Sequence, residues 1–278
     1  MKIVKYCFCC AVLSAMVAGQ ATATTFFADH FNYADGQLTD SEAGAGDNVS
    51  GGLWVGHSGT TFNDNVDVIG GQAELLNSGS EDVNRSAGAA MAPGDKWYYG
   101  AMITINDTRA DSVNDPLNED YFMHFKDGGF GFRGRTTLLN PTVSDPNKFT
   151  LAVAATSSSG GISPNWGTDL SFGQQYKIIV SYALDTGEVE LWVDPVDENS
   201  TKVTHTASAG AFTQIDSLGM RQDYTGGDPN NQILVGAVAL GDNFNDVMRD
   251  VMIPEPSSLL LTFAALVGIA TMGRSRKS

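Results

Sequence analysis

Between residues 24 and 253 no stretch carries a sustained 3.6-residue apolar period, and that absence constrains the fold more than any other feature of the chain. Short apolar or alternating runs stand there instead, separated by Gly, Asn, Asp and Pro. Candidate strands are Thr25–Tyr33, Val66–Ile69, Gln72–Leu76, Trp97–Ile105, Tyr121–Lys126, Gly129–Thr137, Phe149–Ala155, Gln175–Leu184, Val189–Val193 and Ile233–Leu240. Gly70-Gly71 tolerates the positive φ of a tight hairpin, and Asp185-Thr186-Gly187 offers a second turn of that kind. Along Glu188–Val193, the period of two puts Val189, Leu191 and Val193 on one face and Glu188, Glu190 and Trp192 on the other. The pattern predicts one all-β domain over residues 24–252, a two-sheet jelly-roll sandwich without a helix of its own.

The two ends follow different rules. Lys2 and Lys5 precede an apolar run from Tyr6 to Gly19, and Ala21-Thr22-Ala23 supplies small residues for a signal peptidase, so residues 1–23 read as a secretory signal. Cys7, Cys9 and Cys10, the only cysteines, fall inside it, and a protein cut after Ala23 folds without disulfides. At the far end, Pro254-Glu255-Pro256 precedes an apolar run from Leu259 to Gly273, and Arg274, Arg276 and Lys277 follow. The run is short for a span of roughly 17–25 residues, but Ser257, Ser258 and local bilayer thinning extend its reach. The basic tail predicts a cytoplasmic C-terminus with the domain facing outward.

Residues 253–278 resemble the PEP-CTERM sorting signal of exported bacterial proteins, with its Pro-Glu-Pro motif, single hydrophobic helix and basic tail. The resemblance implies a sorting role for Pro254, Glu255 and Pro256, an exosortase-type membrane protease as partner, transient membrane anchoring through 259–273, and delivery to the surface or matrix.

Charge sharpens once the ends are set aside. Five of the 16 cations and one of the 32 anions, Glu255, belong to them, which takes the formal net charge from -16 for the whole chain to -20 for residues 24–253. A surface this acidic argues against nucleic acid and could collect divalent cations.

A second resemblance runs through the middle. Asp29-His30-Phe31-Asn32-Tyr33-Ala34-Asp35-Gly36 with Gly52-Leu53-Trp54 is similar to the opening of concanavalin A-like (laminin-G-like) sandwich domains. Ser78–Arg85, Phe132-Arg133-Gly134-Arg135, Leu191–Pro195, Met220-Arg221-Gln222 and Leu240–Phe244 continue the series in order. It implies a sandwich fold, and a structural calcium near the first and last strands that would favour Asp29 and Asp246. Function does not follow from such a fold.

Catalytic constellations are scarce. Glu188 and Glu190 are the nearest approach to the paired carboxylates of a glycosidase, but Val193 stands where related sandwich hydrolases carry a third. His30, His57, His124 and His205 have no zinc-site spacing and read as packed or exposed singles. Asn63-Asp64-Asn65 with Asp67, Asp107 with Asp111 and Asp115, and Asp242-Asn243 with Asn245-Asp246 are turns of the sort that could bind calcium. Trp166, in the loop Ser163–Gly167, is the best-placed aromatic for a ligand contact. The sequence therefore predicts no catalytic residue. It predicts an exported, non-catalytic surface or biofilm-matrix protein, with a lectin-like, calcium-assisted polysaccharide binder as the alternative and a glycan hydrolase or lyase behind both.

Overall fold

The computed structural model describes residues 24–39, 48–59, 65–76, 79–108, 120–156, 164–206, 214–222 and 231–252. The signal at 1–23 with Ala21 and Ala23, and the sorting segment with Pro254, Glu255, Pro256, Arg274, Arg276 and Lys277, lie outside the described residues, as do Asp64, Asp111 and Asp115.

Sixteen strands and one short helix make up the described chain. They are β1 (Thr25–Asp29), β2 (Gly36–Gln37), β3 (Val55–Ser58), β4 (Asp67–Ile69), β5 (Gln72–Leu76), β6 (Asp82–Ser86), β7 (Lys96–Asp107), β8 (Tyr121–Lys126), β9 (Phe132–Leu139) and β10 (Lys148–Ala154). After them come β11 (Leu170–Ser171), β12 (Gln175–Ala183), β13 (Glu188–Val193), β14 (Val203–Thr206), β15 (Ser217–Arg221), β16 (Asn231–Gly241) and α1 (Phe244–Asp250).

The strands form two antiparallel sheets. One runs β14-β13-β12-β7-β16-β5-β4-β2, with β1 also paired to β16; the other runs β11-β10-β9-β8-β15-β6-β3. Gly70 and Gly71 turn β4 into β5 with φ of 57° and 78°, and Gly187, at φ 65°, closes the β12–β13 hairpin. The inward faces meet in one apolar core that includes Val189, Leu191 and Val193, as the period of two requires. Tyr99 of β7 crosses this core and donates to the Gly134 carbonyl of β9 at 2.9 Å, tying the two sheets together at a fully buried point.

The helix corrects the sequence expectation. Asn243 caps it by accepting from the N–H groups of Asn245 and Asp246, and Phe244, Val247 and nearby Val251 cover Tyr98, Ile179, Trp192, Ala237 and Ala239. Seven residues are too few to show a helical period, so it is visible only through this second apolar cluster on the outer face of the nine-stranded sheet.

Candidate functional site

Two of the calcium candidates, Asp29 and Asp246, have protein partners in the fold. Asp29, at the end of β1, accepts from Phe31 N–H (2.9 Å), Tyr33 O–H (2.7 Å), Trp54 Nε1–H (2.8 Å) and Arg85 Nη1 (2.7 Å), and is itself buried. The Asx-type bond to Phe31 holds that residue at φ 52°, with its ring stacked 6.0 Å from Trp54. Asp246 pairs with Arg249 at 2.6 Å in the first turn of α1. Both carboxylates accept from protein donors, and no group of three or more His, Cys, Asp or Glu side chains among the described residues is placed to hold a metal ion.

Glu190 is likewise structural. It shares the outer face of the nine-stranded sheet with Trp192, but it is buried against Lys96 (2.6 Å), Lys202 and the Ser181 hydroxyl (3.2 Å). Burial alone would raise its pKa; the two lysines outweigh that and hold the carboxyl below its ordinary value. A carboxylate pinned between two ammonium groups is a poor proton donor. Trp166 is half-buried. Its N–H donates to Leu151 O (2.6 Å), its carbonyl accepts from the Thr150 hydroxyl (2.7 Å), and its half-buried ring packs on the core.

The chemistry-bearing residues gather elsewhere, on the outer face of the seven-stranded sheet. The inward residues Val83, Met123, Phe125, Leu218 and Met220 belong to the core. The alternate positions and their neighbours bring together His57 of β3, Asp82 of β6, Tyr121 and His124 of β8, Phe132 and Arg135 of β9, and Arg221 of β15. His124 lies 4.2 Å from Phe132, 5.4 Å from Tyr121 and 6.2 Å from His57, measured between ring centroids. The guanidinium carbons of Arg135 and Arg221 sit 4.8 and 4.5 Å from the centre of the Tyr121 ring. Arg221 also pairs with Asp120.

Backbone irregularities make this convergence possible. The β8–β9 register shifts at two places, and Gly134, at φ 55°, stands where a Cβ would meet Phe125 at 2.8 Å. Such bulges re-aim side chains. Gly219 of β15 sits opposite His124; a Cβ there would lie 2.6 Å from His124 Nε2, so only glycine leaves room for the imidazole.

The electrostatics are unusual for so acidic a chain. Burial, with Lys126 adding, pushes the His57 pKa down to about 4. Burial, then His57, Arg221, Arg135 and Lys126, hold His124 well below its ordinary value, so both imidazoles are neutral. Burial raises Asp82 to about 6, against the opposing Ser58 hydroxyl and Arg221. The ring nitrogens of His57 and His124 are buried and have no hydrogen-bond partner among the described residues; His57 Nε2 stands 4.0 Å from Asp82 Oδ2. Each neutral imidazole offers one donor and one acceptor. The face thus combines cations, a phenol and aromatic rings with two largely buried, neutral imidazoles.

Sequence reading missed this cluster. His124 reads in the sequence as a packed or exposed single, and its approach to His57 of β3 depends on two intervening strands, β15 and β6. The one available signal was that Arg135 and Arg221 lie in segments similar to sandwich domains while cations are scarce in the chain.

The titrations predict a pH dependence. Both histidines are neutral in the fold and take up protons on unfolding below about pH 6.5, so their contribution is complete above that value and declines as the pH falls toward 4. Asp82 acts oppositely, since it is protonated in the fold below about pH 6 but, unfolded, only below 3.8. Two protons against one leave about one net proton, on the order of 1.4 kcal/mol per pH unit near pH 5. Urea midpoints at about pH 7 and 5 should show the decline, and His57→Asn should reduce its slope by about one proton. Equal slopes in wild type and variant would contradict the assignment.

Fold and site together define a class: a two-sheet β-sandwich with a cation–aromatic face on its smaller sheet. No protein-family model matches the chain, and no curated protein does. Among solved structures it is similar to the carbohydrate recognition domain of Emp47p, at 9% identity and a TM-score of 0.45, covering 81% of this chain and 99% of that one. The VIP36 exoplasmic/lumenal domain in its Ca2+/Man2-bound form gives 11% and 0.44, covering 84% and 91%. An alginate lyase from Alteromonas sp. 272 gives 8% and 0.42, covering 70% and 96%.

Proposed function

We propose that this is an exported, non-catalytic surface or matrix protein that binds polysaccharide on the outer face of its seven-stranded sheet. The observation carrying the proposal is the cluster in which the partly exposed Tyr121, Phe132 and Arg221 lie beside Arg135, His57 and the buried His124. Sugars present apolar ring faces flanked by hydroxyls, and such a surface answers both. The non-catalytic part rests on Glu190, whose two lysines remove it from acid–base work.

In this reading the sandwich is a concanavalin A-like jelly roll. An export signal peptidase cuts after Ala23, an exosortase-type protease reads Pro254-Glu255-Pro256, and the run at 259–273 holds the chain in the membrane until release. Among the described residues no helix is long and apolar enough to cross a membrane, and that run lies outside them. Calcium has no assigned ligands in it, so the binding assay is run with and without chelator.

Two measurements test the proposal. Mass spectrometry of the native protein should find a chain beginning after Ala23 and ending before Ser278; a signal-cleaved form still ending at Ser278 rejects the sorting step. A glycan array should give reproducible binding to at least one polysaccharide, and flat signal across it rejects the lectin-like part.

A further inference from the structure

The first strand and the last are joined at Thr24, the residue that directly follows Ala23. Thr24 donates its backbone N–H to Asp242 Oδ1 at 2.7 Å, and the Asp242 N–H returns to the Thr24 carbonyl at 3.2 Å. One residue on, the Thr25 hydroxyl donates to Asp250 Oδ2 of α1 at 2.6 Å. The fold makes room for this contact. A Cβ on Gly241, the residue paired with Thr25, would stand 2.8 Å from the Thr24 carbonyl oxygen and 3.1 Å from Thr25 Cα. Asp242 lines a groove of about 400 Å³ with Phe26, Asp95 and Lys96, and α1 brings Asp246, Arg249 and Asp250 to the same end of the sheet. Arg249 pairs with Asp246 and Asp250, and Lys96 pairs with Glu190 and Glu198. A further positive charge at Thr24 would therefore meet a surrounding in which carboxylates outnumber cations.

In the uncleaved chain the Thr24 nitrogen is a neutral amide with one N–H. Hydrolysis of the Ala23–Thr24 bond consumes one water, leaves a carboxylate on the leader and turns that nitrogen into a primary amine, which is protonated at neutral pH because its ordinary pKa is about 8. The new group has a full charge and three N–H donors, at a nitrogen already within hydrogen-bond distance of a carboxylate oxygen. A hydrogen bond between charged partners is roughly twice as strong as one between neutral partners. We propose that removal of the leader after Ala23 creates an ion pair between the α-ammonium group of Thr24 and the Asp242 carboxylate, which fastens the first strand to the last. The cut itself rests on the export reading above; the pair goes beyond it. Processing then strengthens the fold it releases, since the strand anchored in this way is the one that carries Asp29 into its contacts with Trp54 and Arg85.

The test uses the chain from Thr24 to Ser278 in two forms, one with a free α-amino group and one acetylated there, which keeps the N–H and removes the charge as in the uncleaved chain. Followed by NMR, the free α-amine should titrate about 0.5–1 unit above its ordinary value of about 8. A raised value in the fold means that the added stability is complete below about pH 8 and is lost as the pH rises through about 9. The unfolding equilibrium constant of the free form should therefore rise about three- to tenfold across that window relative to the acetylated form. The shift should shrink as salt rises from about 0.05 to 0.5 M. Asp242→Asn should return the amine to its ordinary value and remove the difference between the two forms. Should that variant fail to fold, the free and acetylated pair decides alone. An α-amine at its ordinary value, or equal pH dependence in the two forms, overturns the ion pair and leaves the export reading intact. A native chain that begins at a residue other than Thr24 rejects the cut whatever the titration shows, and the pair then has no place in the cell.

Discussion

Replacing Asp29 by alanine should destabilise the protein by about 3–5 kcal/mol, a large share of the 5–15 kcal/mol typical of a folded domain. The carboxylate is 6% exposed and has four donors, one on Oδ1 and three on Oδ2. Its removal leaves the Arg85 guanidinium with no carboxylate opposite it, strands the Trp54 indole N–H in the core, and frees Phe31 from the bond that holds its left-handed backbone. Asparagine should be almost as damaging, because an amide nitrogen at either position faces a donor. The measurement is urea unfolding followed by tryptophan fluorescence, with the slope compared to confirm that the compactness of the unfolded state is unchanged. A midpoint shift worth less than about 1 kcal/mol would show that the network relaxes around the loss.

This network also shows what the sequence could and could not disclose. Asp29, Tyr33, Trp54 and Arg85 all fall in segments similar to sandwich domains, so their importance was legible while their role was not. The pairing of Asp29 with Arg85 is set only once β1 and β6 are in place, which no local pattern shows. Strands with apolar alternation, such as β7, β12 and β13, were readable because one face of each is continuous core. β6 and β15 were not. Asp82-Val83-Asn84-Arg85-Ser86 contributes one apolar core residue, and Ser217-Leu218-Gly219-Met220-Arg221 contributes two. Their outward positions are polar or glycine because they form or adjoin the candidate site, so the residues that build that face also hid its strands from a hydrophobicity pattern.

The opposite outer face supplies the control that locates the site. Trp192 is fully buried there beneath α1, edge-on to Phe244 at 5.1 Å, with its Nε1–H donated to Glu198 O at 3.2 Å. Lys96 and Lys202, which pin Glu190, lie 5.8 and 5.1 Å from its ring. Trp192→Ala should therefore cost about 3–5 kcal/mol through the cavity it opens, and should loosen the helix, which rests on that ring. Amide exchange across Phe244–Asp250 should accelerate well before the rest of the sandwich opens, whereas Trp192→Phe retains most of the contact and should lose about half as much. Glycan affinity, measured at a temperature where the variant remains folded, should match wild type, because Trp192 and His124 lie on opposite outer faces of the sandwich. Distant sites with no shared partners behave additively. Loss of binding in a folded Trp192→Ala protein would move the ligand to the nine-stranded sheet, where Trp192, Tyr98 and the two lysines would be its contacts, and would remove the seven-stranded face from consideration.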